Sequence, residues 1–252
     1  MFQLMRQNFL FMRILFCIVS LLFLTIKNVT AAEDLKFRAG EYILRGGNGI
    51  LSLKLVKEGN FTFSIHTDWA NGHMCELGGK ILKGRAVIPS IEGNKPCVVN
   101  FLVGPDGIEV QDDHEVCGYY CGARAGIAGL YLRPVAGCSR QEVSKTRAEF
   151  KRLYANKNYE KAETVITPLI SSCLSTIDFV NSAWIRNDLA ITQYKLGKLS
   201  ECRSTLEPLV SDASTYDGAN VDDPDVLPEI RPLFPVMKAT LANFRLCKGK
   251  LE

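Results

Sequence analysis

Between Ala39 and Pro134 the hydrophobic positions fall in short alternating or β-branched runs, each ending at residues that favour turns. The runs are Glu41–Arg45, Ile50–Val56, Phe61–Thr67, Cys75–Leu82, Ala86–Ile88, Val98–Val103 and Ile108–Gln111, with Leu130–Arg133 closing the series. Phe61-Thr62-Phe63-Ser64-Ile65 shows the period of two most plainly, with apolar side chains toward a core and hydroxyls toward water. Gly46-Gly47-Asn48-Gly49, Glu58-Gly59-Asn60, Asn71-Gly72, Glu92-Gly93-Asn94 and Pro105-Asp106-Gly107 separate the runs. They supply the residues tolerant of positive φ that tight hairpins require. Strands this short, with a turn every ~8–12 residues, predict an antiparallel sandwich or small barrel.

After Cys138 the period lengthens to that of a helix. Ser139 or Ser144 can cap a helix running to about Ala155. Asn158 then precedes a second helix with Ala162, Val165, Ile166 and Leu169 on one face. The unit recurs: Asn187–Ala190 leads through Tyr194-Lys195-Leu196-Gly197 to Leu199, Cys202 and Leu206-Glu207-Pro208-Leu209. Setting Tyr159 on Leu199 places Ala162 on Cys202, Ile166 on Leu206 and Leu169 on Leu209. Over Gln141–Asp212 this resembles the tetratricopeptide repeat (TPR), with Gly197 the strongest match and Cys202 standing where the repeat has alanine. The two copies lie 40 residues apart, not the ~34 of that repeat, so the resemblance requires an insertion, placed near Leu174–Asp178. A further helix over Arg231–Leu246 caps the stack, with Pro232 and Pro235 fitting its first turn or delaying its start. The resemblance implies a concave surface for a peptide or protein, not catalysis.

The start of the chain bears on its compartment. Arg6 and Arg13 precede the apolar run Ile14–Ile26, no acid occurs before Glu33, and Val29-Thr30-Ala31-Ala32 offers small residues for cleavage. This is the pattern of a secretory signal over 1–32, cut after Ala31 or Ala32, with no membrane span left after cleavage. Cys17 has no lipobox before it. Three of the 30 basic residues (Arg6, Arg13 and Lys27) leave with the signal, so 27 face 27 acids in the remainder. A neutral chain lacks the electrostatic footprint for nucleic acid or an anionic membrane. The expected fold is α+β in two domains: a small disulfide-linked antiparallel β-barrel or sandwich over 33–138 and a TPR-like helical hairpin stack over 139–252. The expected localisation is the periplasm.

Without Cys17, eight cysteines remain: Cys75, Cys97, Cys117, Cys121, Cys138, Cys173, Cys202 and Cys247. An even number in an exported chain reads as four disulfides. Antiparallel succession of the helices brings Cys138 to Cys173 and Cys202 to Cys247. Cys173 with Cys202 would join opposite helix ends, beyond the ~7 Å Cα limit. In the β domain, Cys75 and Cys97 end consecutive long strands and pair, which leaves Cys117 to Cys121.

The stretch His114-Glu115-Val116-Cys117-Gly118-Tyr119-Tyr120-Cys121 could also be read as zinc ligands or a redox pair. Only His66 and His73 could complete a zinc site, oxidising conditions pair thiols first, and three residues rather than two separate the cysteines. A structural disulfide in a strand-flanked loop is the reading adopted, with no metal and no cofactor. The acidic connector Asp212–Asp225 lacks calcium-ligand spacing. The loop His66–His73 gathers two histidines, Asp68 and Trp69 between strands, where binding residues tend to sit. The alternative is a long hairpin whose tryptophan tucks over the barrel end. Arg124, isolated among alanines and glycines, is expected half-buried against a carboxylate such as Glu76 or Glu109, or else facing a ligand. The partner-binding candidates are thus His66, Asp68, Trp69, His73 and Arg124, and no nucleophile context accompanies them.

His73-x-Cys75, Cys117-x3-Cys121-Gly122-Ala123-Arg124-Ala125 and Gly129-x-Tyr131, within Gly40–Arg133, carry a second resemblance. This half is similar to lysozyme-inhibitor-like envelope proteins of Gram-negative bacteria, including modules found with LprI-type inhibitors. The resemblance implies an exported protective protein that binds a lysozyme-like cell-wall hydrolase. Membrane-bound lysozyme inhibitors insert a Ser-Gly loop and a lysine into the enzyme cleft; here Gly78-Gly79-Lys80 and Lys83-Gly84 come nearest, and the serine is missing. The competing expectation is a periplasmic scaffold whose repeat stack holds a peptide or protein partner. An enzyme ranks behind both.

Overall fold

The computed structural model describes residues 36–249, apart from 70, 71, 91, 92, 94, 122, 123, 224, 225 and 228. The signal segment 1–32 with its cleavage site lies outside them, as do Ala70, Asn71, Gly122, Ala123 and Asp225.

Eight strands form one antiparallel sheet: β1 Gly40–Leu44, β2 Gly49–Leu55, β3 Phe61–Asp68, β4 Met74–Ile81, β5 Arg85–Ile88, β6 Cys97–Val103, β7 Gly107–Asp112 and β8 Gly129–Leu132. Their order, β4-β3-β2-β1-β8-β7-β6-β5, is an up-and-down meander that closes through β1 and β8. The sheet is a nearly closed barrel whose seam lies between β4 and β5. Alternation sends Leu51 and Leu53 of β2, Phe63 and Ile65 of β3, Val99 and Phe101 of β6, and Ile108 and Val110 of β7 into one core with Tyr131. Gly79 shares the inward face of β4 with Cys75, Leu77 and Ile81, and a Cβ there would come within 3.3 Å of the Phe63 ring.

At one end of the seam the turn Lys83-Gly84 joins β4 to β5, with Leu82 bridged to Arg85. At the other end the strands part, and a segment between β7 and β8 fills the gap. It consists of a short helix α1, His114–Cys117, and a 3-10 turn, Gly118–Tyr120. Cys121 then forms an isolated antiparallel bridge with Cys75 of the β4 edge. The Tyr120 hydroxyl donates to the Pro89 carbonyl at 2.7 Å, just past β5. The disulfides are Cys75–Cys121 and Cys97–Cys117, with Cα separations of 4.3 and 4.7 Å.

This corrects both pairings expected for the β half. Cys75 and Cys97 are not on adjacent strands, since β5 intervenes, and they stand on opposite sides of the open seam. Cys117 ends a helical turn with its side chain fully buried, while Cys121 has returned to extended backbone opposite Cys75. Each bond therefore ties the plug to one side of the gap. The stretch is also not the strand-flanked loop expected, because two residues after β7 the chain is already helical.

Five longer helices follow: α2 Arg140–Ala155, α3 Tyr159–Ser172, α4 Phe179–Lys195, α5 Leu199–Ser214 and α6 Leu233–Cys247. Ser139, not Ser144, caps α2 through a full capping box with Glu142. The superposed positions Ala162, Ile166 and Leu169 of α3 and Cys202, Leu206 and Leu209 of α5 are all buried. Identical turns enter them: the Lys157 amide donates to the Tyr154 carbonyl and Asn158 to Leu153, as Gly197 does to Tyr194 and Lys198 to Gln193. Lys157 and Gly197, also 40 apart, both adopt positive φ, 58° and 75°. The expected disulfides Cys138–Cys173 and Cys202–Cys247 are present, with Cα separations of 5.1 and 5.6 Å. A buried network locks α4 to α6: Asn187 Nδ2 donates to Thr240 Oγ1 at 2.8 Å, and Asn243 Nδ2 to Asn187 Oδ1 at 2.9 Å. None of the helices among the described residues is long and apolar enough to cross a membrane. Four disulfides fit an oxidising compartment outside the cytoplasm.

Barrel and helices belong to one compact unit, Phe37–Glu252. Their junction is the β1–β2 turn set against the connector between the helical hairpins. The Gly46 amide donates to the Ser175 carbonyl at 2.9 Å, and Arg140 Nη2 donates to the Gly47 carbonyl at 3.1 Å. A Cβ on Gly47, whose φ is +83°, would lie 2.2 Å from the Asp178 nitrogen, so only glycine admits this approach. The segment Leu174–Asp178, where the repeat resemblance would require an insertion, is a 3-10 turn over Leu174–Thr176 leading to the Asp178 N-cap of α4.

Candidate functional site

The junction leaves an open cleft of about 780 Å³. Its barrel wall is Gly47, Asn48, Asp68 and Trp69. Its helical wall comes from α2 (Arg140, Val143, Ser144, Arg147), the start of α4 with its N-cap (Asp178 to Asn181) and the start of α6 (Glu229, Pro232, Leu233). Cys138, with Thr176 and Ile177 of the connector, completes this wall, and α3 and α5 contribute nothing. Arg140, Val143, Ser144 and Arg147 share one face of α2 because they repeat at three- and four-residue spacing.

Trp69 is held from behind by the plug. Its Nε1 donates to the Gly126 carbonyl at 3.2 Å, and the buried Thr67 hydroxyl donates to the same oxygen at 2.9 Å. A Cβ on Gly126 would sit 3.7 Å from His114 Nδ1, so the imidazole of α1 lies against that glycine. The chain thus runs from the stapled plug through Gly126 to Trp69, which keeps 38% of its surface exposed for contact. His66 Nε2 and Asp68 Oδ1 are 2.9 Å apart, which orients Asp68 at the cleft edge. The Trp69 amide donates to the His73 carbonyl at 3.0 Å and closes the loop on itself.

The helical wall is partly charged and partly apolar. Arg147 Nη1 donates to Asn181 Oδ1 at 2.7 Å, while its Nη2 stands 3.8 Å from Asp188. Arg147 Nε is buried without a hydrogen-bond partner among the described residues. Burial raises the Asp188 carboxyl above its ordinary range, and Arg147 and Lys151 draw it back only in part. Asp178 spends both oxygens on Asn181, accepting from its backbone nitrogen at 2.9 Å and its amide at 2.7 Å. Phe179 is an exposed aromatic at the head of α4.

Of the five residues expected to bind a partner, Asp68 and Trp69 line this cleft; His66 and His73 brace them. Arg124 does not take the half-buried place expected of it and lies exposed. From Arg124 on, burial alternates: Ala125 and Ile127 are buried, and Arg124 and Ala128 are exposed. Gly78 and Gly79 lie inside β4, paired with Ser64 and Phe63, so only Lys83-Gly84 forms a projecting turn there. No group of three or more metal-ligating side chains gathers among the described residues. The helical half of the cleft escaped the sequence reading. Its traces were the basic stripe Arg140–Arg147 and an aromatic immediately after the cap Asp178. Compared with protein-family models, curated proteins and solved structures, the chain has no match.

Proposed function

We propose that the protein is an exported, periplasmic, non-catalytic binding protein that holds a peptide or a projecting segment of a partner protein in the cleft between barrel and helices. One observation carries the reading: two independently built walls, a plug-supported tryptophan loop and the first turns of the hairpin stack, face the same space. Aromatic anchors with arginine at a concave surface are the usual composition of a protein-recognition site. The periplasmic setting rests on the signal-like start of the chain and the four disulfides.

A lysozyme-type hydrolase remains one candidate partner. The Gly78-Gly79-Lys80 segment cannot enter an enzyme cleft as a loop while it is laddered to β3, so such an inhibitor would have to act through the cleft or the Lys83-Gly84 turn. Photo-crosslinking in the envelope of the producing cell tests the main reading. Benzoylphenylalanine in place of Phe179 should trap a discrete partner that the same group in place of Leu102, exposed on the barrel, does not. Equal labelling from both positions, or none from either, would reject the cleft as the site. Hydrolysis of cell wall by purified lysozymes, unchanged at excess protein, would remove that partner class.

A further inference from the structure

The two ends of the barrel differ in charge, although the chain as a whole is balanced. In a meander every second connection falls at the same end. The β1–β2 and β3–β4 turns and the plug lie at the cleft end, where Asp68, Glu76, Asp112, Asp113 and Glu115 outnumber Arg45 and Arg124. The β2–β3 and β4–β5 turns project from the other end, and there Lys54, Lys57, Lys80, Lys83 and Arg85 are all exposed. Among the described residues, none of these five makes an ion pair or a side-chain hydrogen bond. Lys83 takes the first place of its two-residue turn at a φ of 52°, where asparagine or glycine is usual.

Apolar side chains are interleaved with these cations along the chain. Leu55, Val56 and Leu82 are 60, 41 and 59% exposed. Leu55 is in register with Phe61, and Phe61 with Ile81, so both turns rise from one row of the sheet. Glu58 is the one acid in the two turns. The remainder of this end, with Glu41, Asp106 and Glu109 against Arg38 and Arg133, is close to balanced.

We propose that this corner of the barrel docks on the surface of an anionic phospholipid bilayer. Cations set around a few exposed apolar side chains suit the headgroup boundary, where lysine meets lipid phosphate and leucine or valine enters the acyl edge. Four of the five cations are lysine, which protein interfaces disfavour, so lipid fits better than a protein partner. The equal numbers of acids and bases in the chain remove a general attraction to such a membrane, not this local one. Docked by this corner, the barrel turns its cleft end away from the lipid, whatever the cleft holds.

Co-flotation of the exported, oxidised chain with vesicles provides the test. The chain should float with phosphatidylethanolamine–phosphatidylglycerol vesicles and not with phosphatidylcholine alone. Lys54→Gln and Lys83→Gln should each weaken partition about fivefold, and Leu82→Ser several-fold. Salt that shortens the Debye length to about 3 Å should release the chain. A tryptophan reporter reads the docked corner directly. Relative to the natural chain, Leu82→Trp should add blue-shifted emission on anionic vesicles that brominated lipid quenches, and Met74→Trp, at the cleft end, should not. Equal flotation with both vesicle types, flotation unchanged by Lys54→Glu together with Lys83→Glu, or quenching at Met74→Trp instead of Leu82→Trp overturns the inference. Capture of soluble polyglutamate with no capture of either vesicle would assign the corner to an acidic protein and overturns it too. None of these outcomes alters the reading of the cleft.

Discussion

The barrel and the helical stack are each closed by two disulfides, but the bonds bridge different kinds of gap. In the stack, Cys138–Cys173 and Cys202–Cys247 join ends of helices that already pack side by side. In the barrel, Cys75–Cys121 and Cys97–Cys117 fasten a separate plug across a seam that no strand ladder closes. A repeated hairpin solves its packing locally, and its staples reinforce a solved problem. A barrel must close on itself over its full length, and here covalent bonds finish what hydrogen bonds leave open. The comparison also bears on function: the barrel staples reach the cleft indirectly, from the plug through Gly126 to Trp69, whereas Cys138 of a helical staple lines the cleft itself.

Removing one staple from each half breaks the comparison most severely. Chain entropy alone assigns about 4 kcal/mol to either loop, closed over 46 residues in Cys75–Cys121 and 45 in Cys202–Cys247. Denaturant unfolding of the paired alanine variants should show losses of that order in both. The difference lies in Trp69: with Trp184→Phe as background, emission should shift when Cys75–Cys121 is removed and stay put when Cys202–Cys247 is removed. Equal behaviour of the two would disconnect the plug from the cleft.

The junction between the halves comes next. Gly47→Ala forces a Cβ to 2.2 Å from the Asp178 nitrogen and should cost about 2–3 kcal/mol, through overpacking. Gly46→Ala meets nothing within 4 Å and carries only the strain of its φ of +91°, about 1–2 kcal/mol. Urea midpoints of the two variants measure the contrast.

A pH series isolates the helical wall. Burial first of all raises the Asp188 carboxyl in the folded state from its ordinary 3.8. Protonated Asp188 therefore favours folding, and that contribution is complete below the unfolded value and lost as pH rises through the folded one. The stability of the natural chain relative to Asp188→Asn should be greatest near pH 4 and decline toward neutrality. A difference that grows with pH would mean that Arg147 outweighs burial.

The smallest effect compares the two hairpins with each other. Lys157 holds the left-handed turn that Gly197 holds in the second copy. Lys157→Gly should stabilise by about 0.5–1 kcal/mol, and Gly197→Ala should cost about 1 kcal/mol. Thermal melts of both variants check the symmetry of the repeat.

Which features were legible in the sequence follows from how local their causes are. Strand limits came within a residue or two, because alternation and turn glycines act over four or five residues, as in Phe61–Asp68. The helical pairs Ala162 with Cys202 and Leu169 with Leu209 were legible for the same reason, and so were the disulfides that helix direction dictates. The barrel cysteines were not, because their pairing depends on which strands flank the seam, and no run of residues states that β4 and β5 stay apart. Trp69 and Asp68 stood out as unusual residues in a connecting loop. Arg147 and Phe179 did not, since a basic residue on a helix and an aromatic after a cap are ordinary until the barrel is set against them.

Hydrogen exchange on the oxidised chain with the partner trapped by photo-crosslinking bound tests most directly whether barrel and helices build the site together. The account predicts that slowed exchange appears at both walls, around Asn48 and Asp68–Trp69 in the barrel and around Val143–Arg147 and Phe179–Asn181 in the helices. Protection confined to one wall, or falling on the outer barrel strands, would contradict it.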